Sequence, residues 1–279
     1  MSANPVCPTA RLEKLLLSSD GSEFSEGAIR EAINFSKRCS SKLFAVSVIE
    51  TNPEFETLAP QLVEKMGKKT REHLESLKSR ASKEGVECEI LVHQGEEPYQ
   101  YIVEDAAKNN VEMIIMGRRG RTGLKRLMMG SVTAKVIGHA PCNVLVAPRA
   151  AKLECKNILV ATDGSKYSDA AALEAINIAK RCGSNLTALS IAAKSKNLPA
   201  AKKSVNKIKD LAEKEGIKVK ALTLRGTPYE VIVKTAKEKN ADLIVVGSHG
   251  RTGLSRLMMG SVTERVIGHA SCAIMVVKC

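Results

Sequence analysis

The chain has 279 residues, 44% hydrophobic and 26% charged, a balance that excludes intrinsic disorder and leaves room for two ordinary domains. Aromatic residues make up 3% and tryptophan is absent, which argues against a base-stacking surface for single-stranded nucleic acid. The net charge of +13 is uneven: residues 1–150 hold 21 Lys+Arg against 19 Asp+Glu (+2), the rest 22 against 11 (+11).

Apolar runs and helical periodicities alternate along the first half. Strands are predicted over 12–19, 43–49, 86–93, 111–116 and 142–147. Helices are predicted over 23–38, 58–84, 99–108 (opened by Pro98) and 131–139. The second half repeats the order. Its strands are 157–162, 186–192, 217–224, 242–246 and 272–277, and its helices 166–181, 200–215, 229–239 and 261–269. Residues 148–156 join the halves. Strands alternating with helices imply parallel pairing through right-handed crossovers, so the expected fold is an α/β three-layer sandwich, built twice.

Two motif pairs mark the repeat. The first strand of each half ends in Ser19-Asp20-Gly21-Ser22 or Thr162-Asp163-Gly164-Ser165. The fourth is followed by Gly117-x2-Gly120-x9-Gly130-Ser131 or Gly247-x2-Gly250-x9-Gly260-Ser261. From Gly120 to Ala140 against Gly250 to Ala270, three of 21 positions differ. The Asp pair lies 143 residues apart and the glycine loops 130, so the halves differ in length mainly between their second and third strands. Likeness concentrated at one loop favours a shared loop function over shared packing, with gene conversion the alternative.

A glycine-rich turn between a buried strand and a helix start can present backbone N–H groups to a phosphate. Glycines there can take positive φ and admit a ligand without a Cβ in the way. The spacing is neither a Walker A loop nor the dinucleotide fingerprint. Ser261-Val-Thr-Glu264 also reads as a capping box, whereas Ala134 breaks that pattern in the first half. A carboxylate at a strand's C-terminal tip, as at Asp20 and Asp163, can accept from ribose or adenine or help hold Mg²⁺, and Asp-Gly-Ser is equally turn and cap chemistry. Arg118, Arg119, Arg121, Lys125 and Arg126, with His249, Arg251 and Arg256, could neutralise phosphate or be solvated loop charge. Met128, Met129, Met258 and Met259 read as packing residues.

Eight cysteines include no Cys-x-x-Cys pair, and the histidines do not complete a metal-ligand spacing with them, so no metal site is expected. Cys39/Cys182 and Cys142/Cys272 are repeat equivalents in apolar contexts, which predicts buried, reduced thiols. Reduced thiols, no export signal and no long apolar run predict a cytoplasmic protein without a membrane partner.

Together these residues resemble the universal stress protein family, over about 11–148 and again 155–279, the expected domains. The resemblance implies two adenine nucleotide alpha hydrolase-like domains, each a five-stranded parallel sheet of order 3-2-1-4-5, and stress-response, ATP-binding function of regulator or sensor type. It implies that Asp20 and Asp163 contact the adenosine part, that the backbone at Val48 and Ile191 meets adenine, and that Gly117, Gly120, Gly130 and Ser131 cradle the phosphates with the Val132 N–H. In the second half Gly247, Gly250, Gly260, Ser261 and Val262 take those roles. The cofactor is expected to be ATP, or ADP or AMP, with Mg²⁺ an open question. The short segment after Ile191 predicts a more open second site.

As an enzyme the chain would be at most a slow ATPase or an autophosphorylating protein, because neither loop carries an evident general base and no catalytic residue is assigned. A nucleic-acid partner would have to use the lysines of 194–220, which also read as a solvated helix face. The last strands, 142–147 and 272–277, would be exposed edges unless they pair. That predicts an intramolecular pseudo-dimer, with a homodimer of chains as a further step.

Overall fold

The computed structural model describes residues 7–9, 12–120, 129–250 and 259–279. The first half runs β1 (Lys14–Ser18), α1 (Glu26–Cys39), β2 (Lys42–Glu50), α2 (Pro53–Leu58), α3 (Pro60–Lys83), β3 (Cys88–Gly95), α4 (Pro98–Lys108), β4 (Met113–Met116), α5 (Ser131–His139) and β5 (Asn143–Val146). The second half runs β6 (Asn157–Thr162), α6 (Lys166–Cys182), β7 (Asn185–Ala192), α7 (Leu198–Lys214), β8 (Val219–Arg225), α8 (Pro228–Glu238), β9 (Leu243–Gly247), α9 (Ser261–His269) and β10 (Ala273–Val277).

The helix expected over 58–84 is α3, and a short helix the sequence did not suggest, α2, precedes it. Pro60 lacks the N–H a continuous helix would need, and it pushes Ala59 off helical geometry to φ −137°, ψ 53°. Asn52 caps the extra helix α2, its side chain accepting from the Phe55 N–H at 2.7 Å. The second half has a 3-10 turn, Ser195–Asn197, in that place, and α7 is 17 residues long against 24 for α3. This is where the halves differ in length.

The strands form one sheet of order β3-β2-β1-β4-β5-β10-β9-β6-β7-β8. Each half therefore has the order 3-2-1-4-5, with parallel pairing inside the half. The halves meet where β5 pairs antiparallel with β10, Val144 opposite Val276 and Val146 opposite Ile274. A continuous apolar strand is what a sheet covered on both faces requires, and Leu15, Leu16 and Leu17 of β1 are all fully buried. Leu15 and Leu17 pack on one face under α1, α3, α6 and α7. Leu16 packs on the other, under α4, α5, α8 and α9. Both layers run unbroken across the junction, with Leu145 and Met275 in one and Val144 and Ile274 in the other.

Side chains from each half also cap helices of the other. Arg118 Nη1 donates to the carbonyls of Gly268 and Ala270, both at 3.0 Å, at the C-terminus of α9. Lys278 Nζ donates to those of Ile137 (2.8 Å) and Gly138 (3.0 Å) at the C-terminus of α5. Cations suit the partial negative charge and unpaired carbonyls of a helix end. Burial pulls the pKa of both groups down. Arg118→Ala leaves the two α9 carbonyls without this donor, and we expect a loss of about 1–3 kcal/mol in urea unfolding. An unchanged midpoint would show that water replaces the guanidinium at no cost.

The expectation of reduced thiols needs correction at one pair. Cys7 and Cys39 form a disulfide, with Cα atoms 4.5 Å apart. The segment before β1 folds back onto the C-terminal end of α1, a closeness that residues 32 apart in sequence do not reveal. The disulfide removes one premise of the cytoplasmic expectation. No helix among the described residues is long and apolar enough to cross a membrane.

Candidate functional site

Both motifs of a half lie on one edge of the sheet, at the carboxyl ends of its strands. Ser18 pairs with Met116 in the β1–β4 register, so Asp20 and Gly117 lie just past the ends of adjacent strands. The chain leaves β1 towards β2 and β3 and returns on the other side to β4. The crevice between β1 and β4 is therefore the topological switch point, where open α/β sheets receive ligands. The crevice between β6 and β9 repeats it with Asp163 and Gly247. On the β2 side, the Ser19 N–H donates to the Val46 carbonyl, and Val48 follows two residues later on the same edge. Thr162 pairs with Ser190, and Ile191 is the next residue.

The carboxylates are held from below. Asp20 Oδ1 accepts from the Ser22 N–H (3.0 Å) and hydroxyl (2.7 Å). Asp163 Oδ1 accepts from the Ser165 N–H (3.0 Å). Gly21 and Gly164 make these turns possible at φ 75° and 80°, a region open mainly to glycine. The other oxygen faces the loop: a Cβ built on Gly120 would lie 2.8 Å from Asp20 Oδ2, and one on Gly250 would lie 2.9 Å from Asp163 Oδ2.

None of Gly117, Gly120, Gly130, Gly247, Gly250 or Gly260 takes the positive φ the sequence suggested; Gly117, Gly120, Gly247 and Gly250 serve for space, whereas a Cβ on Gly130 or Gly260 would make only ordinary contacts, at 3.4 and 3.5 Å. Gly247 approaches the Tyr167 carbonyl too closely for a side chain, with a Cβ at 2.7 Å, and Gly117 is held tightly against the Phe24 carbonyl, with a Cβ at 3.0 Å. The loop is closed at its base by the Gly130 N–H to the Arg118 carbonyl and the Gly260 N–H to the Ser248 carbonyl, both 2.9 Å. The Thr133 and Thr263 hydroxyls donate to the Gly117 and Gly247 carbonyls at 3.1 and 2.9 Å.

Gly130 and Gly260 are the N-caps of α5 and α9, with no side-chain cap. The capping box expected at Ser261 is thus not formed, because the helix begins one residue too early for Ser261 to cap it. The first intrahelical bonds start at the Ala134 and Glu264 N–H groups. The N–H groups of Ser131 and Val132, and of Ser261 and Val262, therefore sit in the turn that a helix offers to an anion. Ser131, Ser261 and Val262 are exposed and Val132 half-buried.

Of the basic residues expected at the loops, Arg118 is turned away to the other half. Arg119 lies over the Phe24 ring at 5.8 Å, and its repeat equivalent His249 lies 4.9 Å from the Tyr167 ring, with Nδ1 3.0 Å from the Ser248 hydroxyl. Arg121, Lys125, Arg126, Arg251, Arg256, Met128 and Met258 lie outside the described residues. Met129 and Met259 pack against the core. One contact had no sequence signal: His73 Nε2 of α3 is 2.8 Å from the Ser19 hydroxyl, which also bonds Ser25. In the second half Thr162 bonds the equivalent Ser168 at 3.0 Å.

The universal stress protein family model matches residues 12–148 and again 154–278. The chain belongs to the universal stress protein family. It is a tandem member, matched once in each half. A universal stress protein of Methanocaldococcus jannaschii is 40% identical over 139 residues, 44% of this chain and 82% of that protein. One of Mycolicibacterium smegmatis is 30% identical over 190 residues, 62% of this chain and 64% of that one. The crystal structure of a universal stress protein from Archaeoglobus fulgidus superposes with a TM-score of 0.77 at 25% identity, over 95% of this chain and 98% of that one.

Proposed function

We propose that this tandem universal stress protein binds an adenine nucleotide, ATP or its ADP or AMP forms, in each half, and that occupancy regulates a partner or the protein's own assembly under stress. The observation that carries the reading is the paired approach of Asp20 to Gly120 and Asp163 to Gly250, which leaves the same space free of a side chain twice. The residues fit such a ligand. Asp20 and Asp163 would accept from the ribose hydroxyls beside the Val48 and Ile191 backbone. Gly117, Gly120, Gly130, Ser131 and Val132 would hold phosphate oxygens with N–H and hydroxyl donors, as would Gly247, Gly250, Gly260, Ser261 and Val262. A Mg²⁺ bound with the phosphates would offset their charge.

A sensor reading suits the carboxylates better than hydrolysis. Oδ1 of each is taken up by serine donors of its own turn, which fits a positioning role and not a base for water at a γ-phosphate. The basic α7 favours a solvated face over nucleic acid, since Lys207 pairs with Asp169 and Lys209 with Glu213. The β5–β10 pairing supports an intramolecular pseudo-dimer, with 11–148 and 155–279 as its domains and a homodimer of chains beyond it.

The test is to purify the protein natively, denature it in acid and quantify released nucleotide. Two adenine nucleotides per chain are expected, mostly as ATP. Added ATP at a hundredfold excess over Kd should stabilise the fold by about 2.7 kcal/mol. No released nucleotide and no thermal shift would overturn the proposal, and a yield of ADP alone would favour hydrolysis. Binding that weakens about a thousandfold or more with moderate added salt would favour the nucleic-acid reading.

A further inference from the structure

The ends of α1 and α6 carry equivalent cysteines, Cys39 and Cys182, and each meets a second cysteine from the segment before the first strand of its half. In the first half Cys39 is already joined to Cys7. In the second, Cys155, which precedes β6, is buried beside the half-buried Cys182 at the end of α6. Cys155 is held there at φ 56°, with the Ser184 hydroxyl donating to its carbonyl. Two cationic side chains flank the outer thiol. Arg38 Nη2 is 3.8 Å from Cys182 Sγ, and the neighbouring Arg181 holds the Cys7 carbonyl at 2.8 Å.

We propose that Cys182 and Cys155 form a thiol–disulfide exchange site that takes a small anionic disulfide as its substrate. Cys182 is the attacking group and Cys155 the resolving one. The Cys182 thiolate attacks one sulfur of the disulfide, forming a mixed disulfide and releasing the other half as a thiolate, which takes up a proton. Cys155 then loses its proton to solvent and attacks Cys182 Sγ, closing the Cys155–Cys182 disulfide and releasing the second thiol. The protein dithiol is oxidised by two electrons and the small disulfide is reduced to two thiols.

The surroundings suit these roles. The interaction with Cys155, with Arg38 and Arg181 nearby, brings the Cys182 thiol down to about 7. Cys155 is raised by its interaction with Cys182 and by burial, which outweigh a lowering by Arg38. Burial pushes the other sequestered thiols up, Cys88 to about 11 and Cys142 and Cys272 to about 12. The guanidinium groups of Arg38 and Arg181 match a disulfide that carries carboxylates.

The test treats the full-length protein with oxidised glutathione over a pH series, quenches with a maleimide and maps the cysteine peptides by mass spectrometry. We expect a Cys155–Cys182 link whose rate rises to half its plateau near pH 7. At pH 7 Cys182 should react about threefold faster than a free cysteine peptide, because its larger thiolate fraction outweighs its lower nucleophilicity. In Cys155→Ser, glutathione should remain on Cys182. In Cys182→Ser, Cys155 should stay free. The link mapped in the unaltered protein decides the matter even if a variant fails to fold. Glutathione confined to Cys279, a stable adduct on Cys182 of the unaltered protein, or a rate still climbing at alkaline pH would each overturn the proposal.

Discussion

In Gly120→Val, nucleotide binding at the first half is expected to weaken by about 100-fold, equivalent to about 2.8 kcal/mol, while the second half still binds one equivalent. A Cβ at this position would sit 2.8 Å from Asp20 Oδ2, so the valine displaces the carboxylate or fills the space beside it. Displacement also breaks the bonds from Ser22 to Oδ1. The first outcome removes the proposed ribose acceptor and the second the proposed phosphate cradle. Both spare the core, because the nearest group is a side-chain tip and not backbone, so thermal unfolding of the nucleotide-free protein should shift little. Isothermal titration gives the count directly. Gly250→Val should reproduce the loss at the other site, and the double variant should bind nothing. Two full equivalents bound by Gly120→Val with unchanged Kd would sink the assignment.

The larger effect on stability is expected at a residue far from either motif. Gly27 lies in α1, and a Cβ there would meet the Pro148 carbonyl oxygen at 2.3 Å and Arg149 Cα at 2.9 Å. These are backbone atoms that cannot rotate away. Gly27→Ala should therefore cost on the order of 3 kcal/mol, lowering Tm by roughly 6–12 °C for a protein of this size. Its repeat equivalent is Ala170 in α6, so comparison of the halves alone would rate the change harmless. A chemical denaturation midpoint within about 0.5 kcal/mol of the unaltered protein would show that residues 148–149 yield without cost.

The contrast between these two glycines shows how far the sequence could be read. The spacing of apolar residues, the Asp-Gly-Ser turns and the doubled loop were legible in residue order because each is a local pattern. Periodicity fixes helix or strand, and alternation of the two implies a parallel sheet. The bounds of α5, α9 and β6 follow from the same patterns. The short helix α2 ahead of Pro60 rests on an equally local signal, the Asn52 cap, but at six residues it is too short for periodicity to show. The candidate site residues stood out because they recur at matched positions of both halves, and the register brings them to one edge of the sheet.

Other features depend on what lies beside a residue across the fold, and residue order does not encode that distance. Gly117, Gly247, Gly120 and Gly250 turned out to be crowded by Phe24, Tyr167, Asp20 and Asp163 and not set by their own torsions. Arg118, whose sequence position suggests a phosphate ligand, instead caps a helix of the other half. Cys7 finds Cys39 only because the leading segment folds back on α1. By itself the sequence determined the elements, their doubling and the two candidate sites, through periodicity and spacing. Only the tertiary structure decided which side chains face those sites, which cysteines meet and where a methyl group has no room, because each is settled by contacts between segments far apart in the chain.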